Sequence, residues 1–348
     1  MWQIQKLCNC GSWSEEEKHI LPDEVPYPMI ELAEASSDPR WGKAPHERTI
    51  EEHIQNGLVI VDKPPGPTSH QVTAWVKQIF QIQKAGHAGT LDPKVSGVLP
   101  VALQHATKAL PCLLLGTKEY VALMRLHGDV EERDIRRVMG LFIGDIYQIP
   151  PVRAAVKRDL RIRRIHALNI LEIDGRFVLY RVVCDSGTYV RTLCTDIGEI
   201  LGTGAQLQEL RRTRTAGFTE QIAVKLHDIK DAYEFYKEGD AEPLKKILLP
   251  MESMAQHLPK VYLKDSAIDA VCHGADVHIP GIVKIDENIA KGDTVCVFSL
   301  KGEAVCIAEA KMSTQEIAGA KNGVAFHPLR VLMPSGTYPK MWKSKEHM

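Results

Sequence analysis

Three side chains in this sequence have the type and setting to do chemistry: Asp92, Tyr120 and Arg191. Asp92 stands in Lys84-Ala-Gly-His-Ala-Gly-Thr-Leu-Asp-Pro93, a stretch that runs on to Gly97. Glycines at 86, 89 and 97, a proline and a polar cluster rule out regular structure and describe a loop whose backbone comes close to something. Pro93 biases Asp92 toward an extended conformation, from which a carboxylate can face a substrate. The same carboxylate can instead close an Asx-turn on its own loop, and local sequence leaves both open. Tyr120 lies early in an apolar strand, as a core ring with a wet hydroxyl or as a proton-carrying group. Arg191 follows a strand end near Gly187. Its planar guanidinium suits a carboxylate partner, or else forms a surface ion pair worth about 0–1 kcal/mol. No one of the three is decisive.

The elements that must position them can be read from hydrophobic spacing. Gly57-Leu-Val-Ile-Val-Asp62 is a buried strand, ended by the turn Lys63-Pro-Pro-Gly-Pro67. Ser69 is a good N-cap for a helix whose apolar stripe is Val72, Trp75, Val76, Ile79 and Phe80, with Trp75 expected in the core. A helix is expected at 103–115, a strand at 118–127 and a helix at 131–143. Ile149-Pro-Pro151 then interrupts, followed by a basic stretch with Arg153, Lys157, Arg158, Arg161, Arg163 and Arg164. Strands at 166–173 and 176–184 are joined by Asp174-Gly175, a hairpin signal. Cys184-Asp-Ser-Gly-Thr-Tyr-Val-Arg191 leaves that strand and enters a helix to about 200, closed by Gly202 and Gly204. Leu207–Arg214 brings a second basic cluster, and helices fill 228–255. From 260 to 334 the texture changes to short strands with Gly and Pro turns, a small barrel-like β module.

The chain has 348 residues, enough for two domains with ordinary cores. Hydrophobic residues make up 44% and charged residues 25%, a normal globular balance. The net charge of −1 hides an asymmetry. Residues 1–56 hold 5 Lys+Arg against 11 Asp+Glu, whereas 151–220 hold 12 basic and 8 acidic residues. An acidic arm on a mildly basic body is compatible with RNA binding without establishing it. Eight cysteines are scattered, with no CxxC pair to signal a zinc ribbon. Cys8, Cys10 and His19 could hold a metal ion but read more simply as side chains of an extended arm, with the thiols reduced in a cytoplasmic setting. Neither a signal peptide nor a membrane span is expected.

Five segments in this order resemble the TruB-type pseudouridine synthases. Gly86-His-Ala-Gly-Thr-Leu-Asp-Pro93 with Ser96-Gly-Val-Leu-Pro-Val-Ala102 is similar to their catalytic motif. Asp62-Lys-Pro-Pro-Gly-Pro-Thr-Ser69 resembles their lysine-proline motif and Lys118-Glu-Tyr-Val-Ala122 their tyrosine motif. Ser186-Gly-Thr-Tyr-Val-Arg-Thr-Leu193 resembles the arginine motif, and Leu210-Arg-Arg-Thr-Arg214 the adjoining segment. The likeness covers roughly 50–335 and is greatest to the archaeal dyskerin-like branch, the catalytic subunits of box H/ACA ribonucleoproteins. The long arm with Trp41-Gly-Lys-Ala-Pro45 and the length of the C-terminal module point there. That module, with His273-Gly-Ala-Asp-Val277, Pro280-Gly281 and Lys301-Gly-Glu-Ala-Val305, looks like a PUA domain.

The resemblance implies an α+β fold: a central mixed, largely antiparallel sheet flanked by helices, plus a small C-terminal β-barrel PUA domain. The implied layout is an acidic extended arm at 1–50, a catalytic domain at 51–257, the PUA domain at 258–336 and a tail at 337–348. The implied reaction isomerises uridine in RNA, rRNA above all and tRNA as well, with no cofactor and no metal. The target base must leave its stack to be reached. Asp92 then engages the nucleotide, Arg191 aims Asp92, and Tyr120 stacks on the base or moves a proton. Lys63, His87 and Leu210 are implied to support or contact the substrate. Arg153, Lys157, Arg158, Arg211, Arg212 and Arg214 are candidates for phosphate contacts, and Gly274 and Gly281 for contacts with RNA on the PUA domain. Expected partners are guide RNA and substrate RNA, a small core protein on the catalytic domain, another near the substrate loop, and a kink-turn-binding protein reached through RNA. Two alternatives stay open: a stand-alone tRNA T-arm synthase, and a non-catalytic RNA-binding scaffold.

Overall fold

The computed structural model describes residues 28–150 and 157–341. Arg153 and the trio Cys8, Cys10 and His19 lie outside them. The chain enters with strand β1 (Met29–Glu31), crosses to helix α1 (Ile50–Asn56) and continues directly into β2 (Gly57–Lys63). Then come α2 (Ser69–Ile79), β3 (Ala85–His87), β4 (Ser96–Leu103) and a 3-10 helix at Gln104–Leu114. β5 (Lys118–Leu126), α3 (Glu132–Gly140), β6 (Gly144–Gln148) and the hairpin β7 (Arg161–Asp174) and β8 (Phe177–Cys184) follow. α4 (Val190–Ile200), β9 (Ala205–Thr215), β10 (Phe218–Thr219), α5 (Leu226–Lys237), α6 (Glu242–Ile247) and β11 (Leu249–Pro250) complete the first body.

Its strands form one sheet in the order β11-β2-β4-β9-β5-β8-β7-β6, with β3 on β4 and β10 on β9. Every pairing is antiparallel except β4 with β9. A mixed, largely antiparallel sheet flanked by helices is therefore what forms. β2 reads as a continuous apolar run because both of its faces are covered. Val59 and Val61 pack with Val72, Val76 and Phe80 of the α2 segment and Ile229 of α5. Leu58 and Ile60 face the 3-10 helix and the C-terminal module.

That module holds β12 (Lys260–Leu263), α7 (Asp265–Cys272), β13 (Val277–His278), β14 (Ile282–Asp286), β15 (Thr294–Ser299), β16 (Ala304–Ala310), α8 (Thr314–Gly319) and β17 (Val324–Val331). β1 adds itself to this second sheet, pairing Met29 with Asp286. The arm stays on the module beyond β1. Trp41 packs on its core, Lys43 N–H donates to Glu303 Oε1 at 2.9 Å, and Lys301 Nζ donates to the Asp38 carbonyl at 3.0 Å. Among the described residues, no helix is long and apolar enough to cross a membrane.

Two local expectations are corrected. Helix α2 is capped by Thr68, whose side chain accepts from Gln71 N–H, so Ser69 is its first residue. Trp75 is 42% exposed. The buried stripe runs through Val72, Thr73, Val76 and Phe80, and a threonine occupies the flank expected for tryptophan. The helix expected at 103–115 forms at Gln104–Leu114 and is of the 3-10 kind, with Pro111 inside it and unable to donate a backbone hydrogen bond.

Candidate active site

The loop between β3 and β4 presents Asp92, and four neighbours, Lys63, Gly66, Ser69 and Arg212, hold that loop from behind. The Asp92 carbonyl accepts from Val95 N–H at 3.0 Å, closing a turn with Pro93 second in it. Lys63, at the end of β2, is fully buried and donates to the carbonyls of Pro64, Pro93 and Val95 at 3.0, 3.1 and 2.7 Å. Three ammonium protons thus meet three acceptors. Burial lowers its pKa to about 8, opposed by the charge of Asp92. Gly66 N–H also donates to Pro93. Ser69 Oγ both donates to the Leu91 carbonyl and accepts from Leu91 N–H, each at 2.9 Å. Arg212 on β9, 1% exposed, donates from Nε to Val98 and from Nη1 to Gly89, at 2.9 and 2.7 Å. Gly97 has φ +104°, and a Cβ there would lie 2.1 Å from the Arg212 carbonyl, so only glycine lets β4 run beside β9.

Arg191 lies in the first turn of α4 and donates a hydrogen bond from Nη2 to Asp92 Oδ2, across 99 positions of sequence. A cation at a helix N-terminus opposes the helix dipole, so the helix alone does not favour it there. Gln148, 3% exposed, braces that end by exchanging hydrogen bonds with Tyr189 N–H and C=O at 2.9 and 3.1 Å. The Arg191 and Asp92 side chains are 54% and 56% exposed, so the pair is open to solvent. Tyr120 on β5 is paired with Arg212 across the sheet, and its hydroxyl faces the Arg212 guanidinium. Burial pushes that hydroxyl above its ordinary value, against the pull of Arg212. Leu210 pairs with Ala122 on β5 and packs partly buried on the same cluster as Tyr120.

His87 ends β3 behind the loop. Its Nδ1 lies 2.8 Å from Thr73 Oγ1, its Nε2 3.5 Å from Thr90 Oγ1, and its ring stands edge-on to His70 with centroids 4.8 Å apart. Burial, with smaller contributions from His70 and Arg212, lowers its pKa to about 4, which leaves the imidazole neutral at pH 7.

The phosphate candidates divide sharply. Arg212 and Arg214 are buried, 1% and 5% exposed, because β9 is an inner strand between β4 and β5. Arg214 donates to Thr117 Oγ1 at 3.0 Å. Arg211 is held by Asp62 at 3.0 Å and Glu220 at 2.8 Å. The burial of Arg212 and Arg214 corrects the expectation that these two reach phosphates, while Arg211 is matched by two carboxylates. Lys157 and Arg158 are exposed, the former pairing with Asp159 at 2.9 Å. On the second sheet's body, Gly274 has φ +88° and open space around it, while a Cβ on Gly281 would come 2.9 Å from that of Ala267. Sequence reading missed Ser69 as a tie to the loop, Thr73 as the partner of His87, and Gln148. Short polar side chains on buried positions give no signal until the fold supplies their partners.

Comparison with known proteins gives family matches along most of the chain. Residues 77–190 match the TruB family pseudouridylate synthase N-terminal domain and 191–256 the tRNA pseudouridylate synthase B C-terminal domain. Residues 259–332 match the PUA domain and 27–73 the DKCLD (NUC011) domain. The probable tRNA pseudouridine synthase B of Methanopyrus kandleri is 54% identical over 333 residues, 95% of this chain and 98% of that protein. That of Methanocaldococcus jannaschii is 56% identical over 332 residues, with the same coverage. A chain of a Cbf5-Nop10-Gar1 complex superposes with TM-score 0.89 at 50% identity, covering 92% of this chain and 98% of that one. A chain of an H/ACA RNP bound to a substrate RNA containing 2′-deoxyuridine superposes with TM-score 0.87 at 48% identity, covering 93% and 100%. Covered over more than nine-tenths of its length by these relatives, the chain belongs to the TruB family of pseudouridine synthases, in the archaeal dyskerin-like branch that carries a PUA domain.

Proposed function

We propose that this chain isomerises selected uridines of RNA to pseudouridine within a box H/ACA ribonucleoprotein, with base pairing to a guide RNA choosing the uridine. Residues 51–257 carry the chemistry, and 258–336 grip RNA through surfaces that include Gly274 and Gly281. The reaction breaks N1–C1′ and forms C5–C1′. A proton leaves C5 and one arrives at N1, so atoms balance without redox or hydrolysis. Asp92 engages the nucleotide once it is out of its stack, and Arg191 aims Asp92. Tyr120, with its hydroxyl raised by burial, offers an aromatic face and a proton donor rather than a base. Lys63 and Leu210 shape the pocket, and Lys157 and Arg158 contact phosphates. The observation that carries the reading is the exposed Asp92–Arg191 pair on a loop fixed by two buried cations, Lys63 and Arg212.

The solved assemblies support the ribonucleoprotein context and two partners of the Nop10 and Gar1 kind. A kink-turn-binding protein on the RNA completes the proposal. The names of the archaeal relatives favour a second reading, a synthase acting alone on the tRNA T-arm. Incubating the purified chain with T-arm RNA and with a guided substrate, each with and without guide RNA and core proteins, separates the two. The guided reading expects conversion of the guided substrate only when guide is added. Rapid conversion of T-arm RNA by the protein alone, with no guided conversion, would replace it by the second.

A further inference from the structure

His87 has a partner arrangement that decides which of its nitrogens carries the proton. Thr73 Oγ1 lies 2.9 Å from the Ser69 carbonyl oxygen, one turn back on α2. Two oxygens at that separation need a proton between them, and a carbonyl has none to give, so the threonine proton points at Ser69. The same Oγ1 lies 2.8 Å from His87 Nδ1. With its own proton committed, the hydroxyl accepts there, and Nδ1 supplies the hydrogen. A neutral imidazole has one N–H, so Nε2 is left bare. Nε2 points toward Thr90, at 3.5 Å from its hydroxyl and two positions before Asp92. The other groups facing the ring are the edge of His70 and the charge of Arg212. Thr73 is 8% exposed, with its hydroxyl inside the protein, where the hydrogen bond is shielded from water.

We propose that Thr73 is a positioning residue that locks His87 in its Nδ1–H form, so that Nε2 meets a hydrogen-bond donor of the incoming RNA, a ribose 2′-hydroxyl or a base N–H. The ligand in this inference rests on the proposed function; the tautomer does not. Nitrogen-15 NMR of the full chain labelled at histidine, without RNA at pH 7, reads the tautomer directly. His87, identified by its loss in His87→Gln, is expected to show a proton-bearing Nδ1 and an unprotonated Nε2. Thr73→Val is expected to shift the population toward Nε2–H and to lower kcat/KM for uridine conversion about tenfold, the scale of one hydrogen bond. Thr73→Ser, which keeps the hydroxyl, is expected to restore both. A 2′-deoxy substitution and an N3-methyl base, placed in turn at the target uridine and its neighbours, distinguish the donors. The one that Nε2 meets costs wild type activity and costs Thr73→Val little more. An Nε2–H signal in wild type, or a Thr73→Ser protein that resembles Thr73→Val, overturns the proposal. If no uridine is converted at all, the functional reading fails while the NMR result still stands on its own.

Discussion

Asp92 and Arg191 are both more than half exposed, so their pairing contributes little to folding. What the guanidinium supplies is aim. The stability of the site comes from cations out of sight. Arg212→Met removes donors from the carbonyls of Gly89 and Val98 inside the protein, where each orphaned acceptor costs about 1–3 kcal/mol. Thermal unfolding of that variant is expected to fall by several degrees, while the salt dependence of RNA affinity stays unchanged. Neutralising exposed Lys157 is expected to do the reverse, reducing the salt slope by about one unit at unaltered stability. The contrast also marks how much of the site was legible in the sequence. Asp92, Tyr120 and Arg191 stand out because glycine loops and strand ends advertise them. Arg212 was misread because a run of arginines looks the same whether its strand lies at an edge or between two others.

Elements were legible wherever one face alone is buried or a turn is chemically forced, as in the Asp174-Gly175 hairpin, where Gly175 has φ +54°. Helix α2 was placed correctly but its face was rotated. Apolar spacing favours Trp75 in the stripe, and only the packing of β3 and the loop over α2 gives Thr73 a reason to be buried. On β14, Asp286 is 1% exposed; its Oδ2 accepts from Lys260 N–H at 2.6 Å and its Oδ1 has no partner. Burial raises this carboxyl to about 6, against an ordinary 3.8. The folded form therefore holds its proton more tightly than the unfolded chain. The stability tied to this group is complete below the unfolded value and lost as pH rises through about 6. Asp286→Asn should raise the melting temperature at pH 7 relative to wild type, with the difference vanishing near pH 4. A difference that grew toward acid would contradict the assignment.

At the scale of the molecule, the two sheets share one core. Leu58 and Ile60 of β2, Cys112 and Leu113 of the 3-10 helix, and Cys296, Phe298 and Ile307 of the C-terminal module belong to a single buried cluster. The arm is fastened at the same junction. Arg48 donates to both oxygens of Glu252 at 2.9 and 2.7 Å, and Glu252 also accepts from Ala304 N–H at 3.2 Å. The two side chains are 10% and 9% exposed. Removing one partner of such a pair costs about 3–5 kcal/mol, whereas replacing both by apolar groups costs far less. Glu252→Ala should lower the unfolding free energy by about that amount, and the double variant Arg48→Met with Glu252→Met should recover most of it, as read by denaturant titration. None of this junction could be read from the sequence, since its members lie about 200 residues apart and each alone is an ordinary surface charge. The central claim, however, lives in one carboxylate. The direct measurement is single-turnover conversion of uridine to pseudouridine by Asp92→Asn in the assembled particle, with RNA affinity measured alongside. The account predicts a rate reduced more than about a hundredfold, or about 2.7 kcal/mol in the barrier, with affinity within about threefold of wild type. Conversion at the wild-type rate would contradict it.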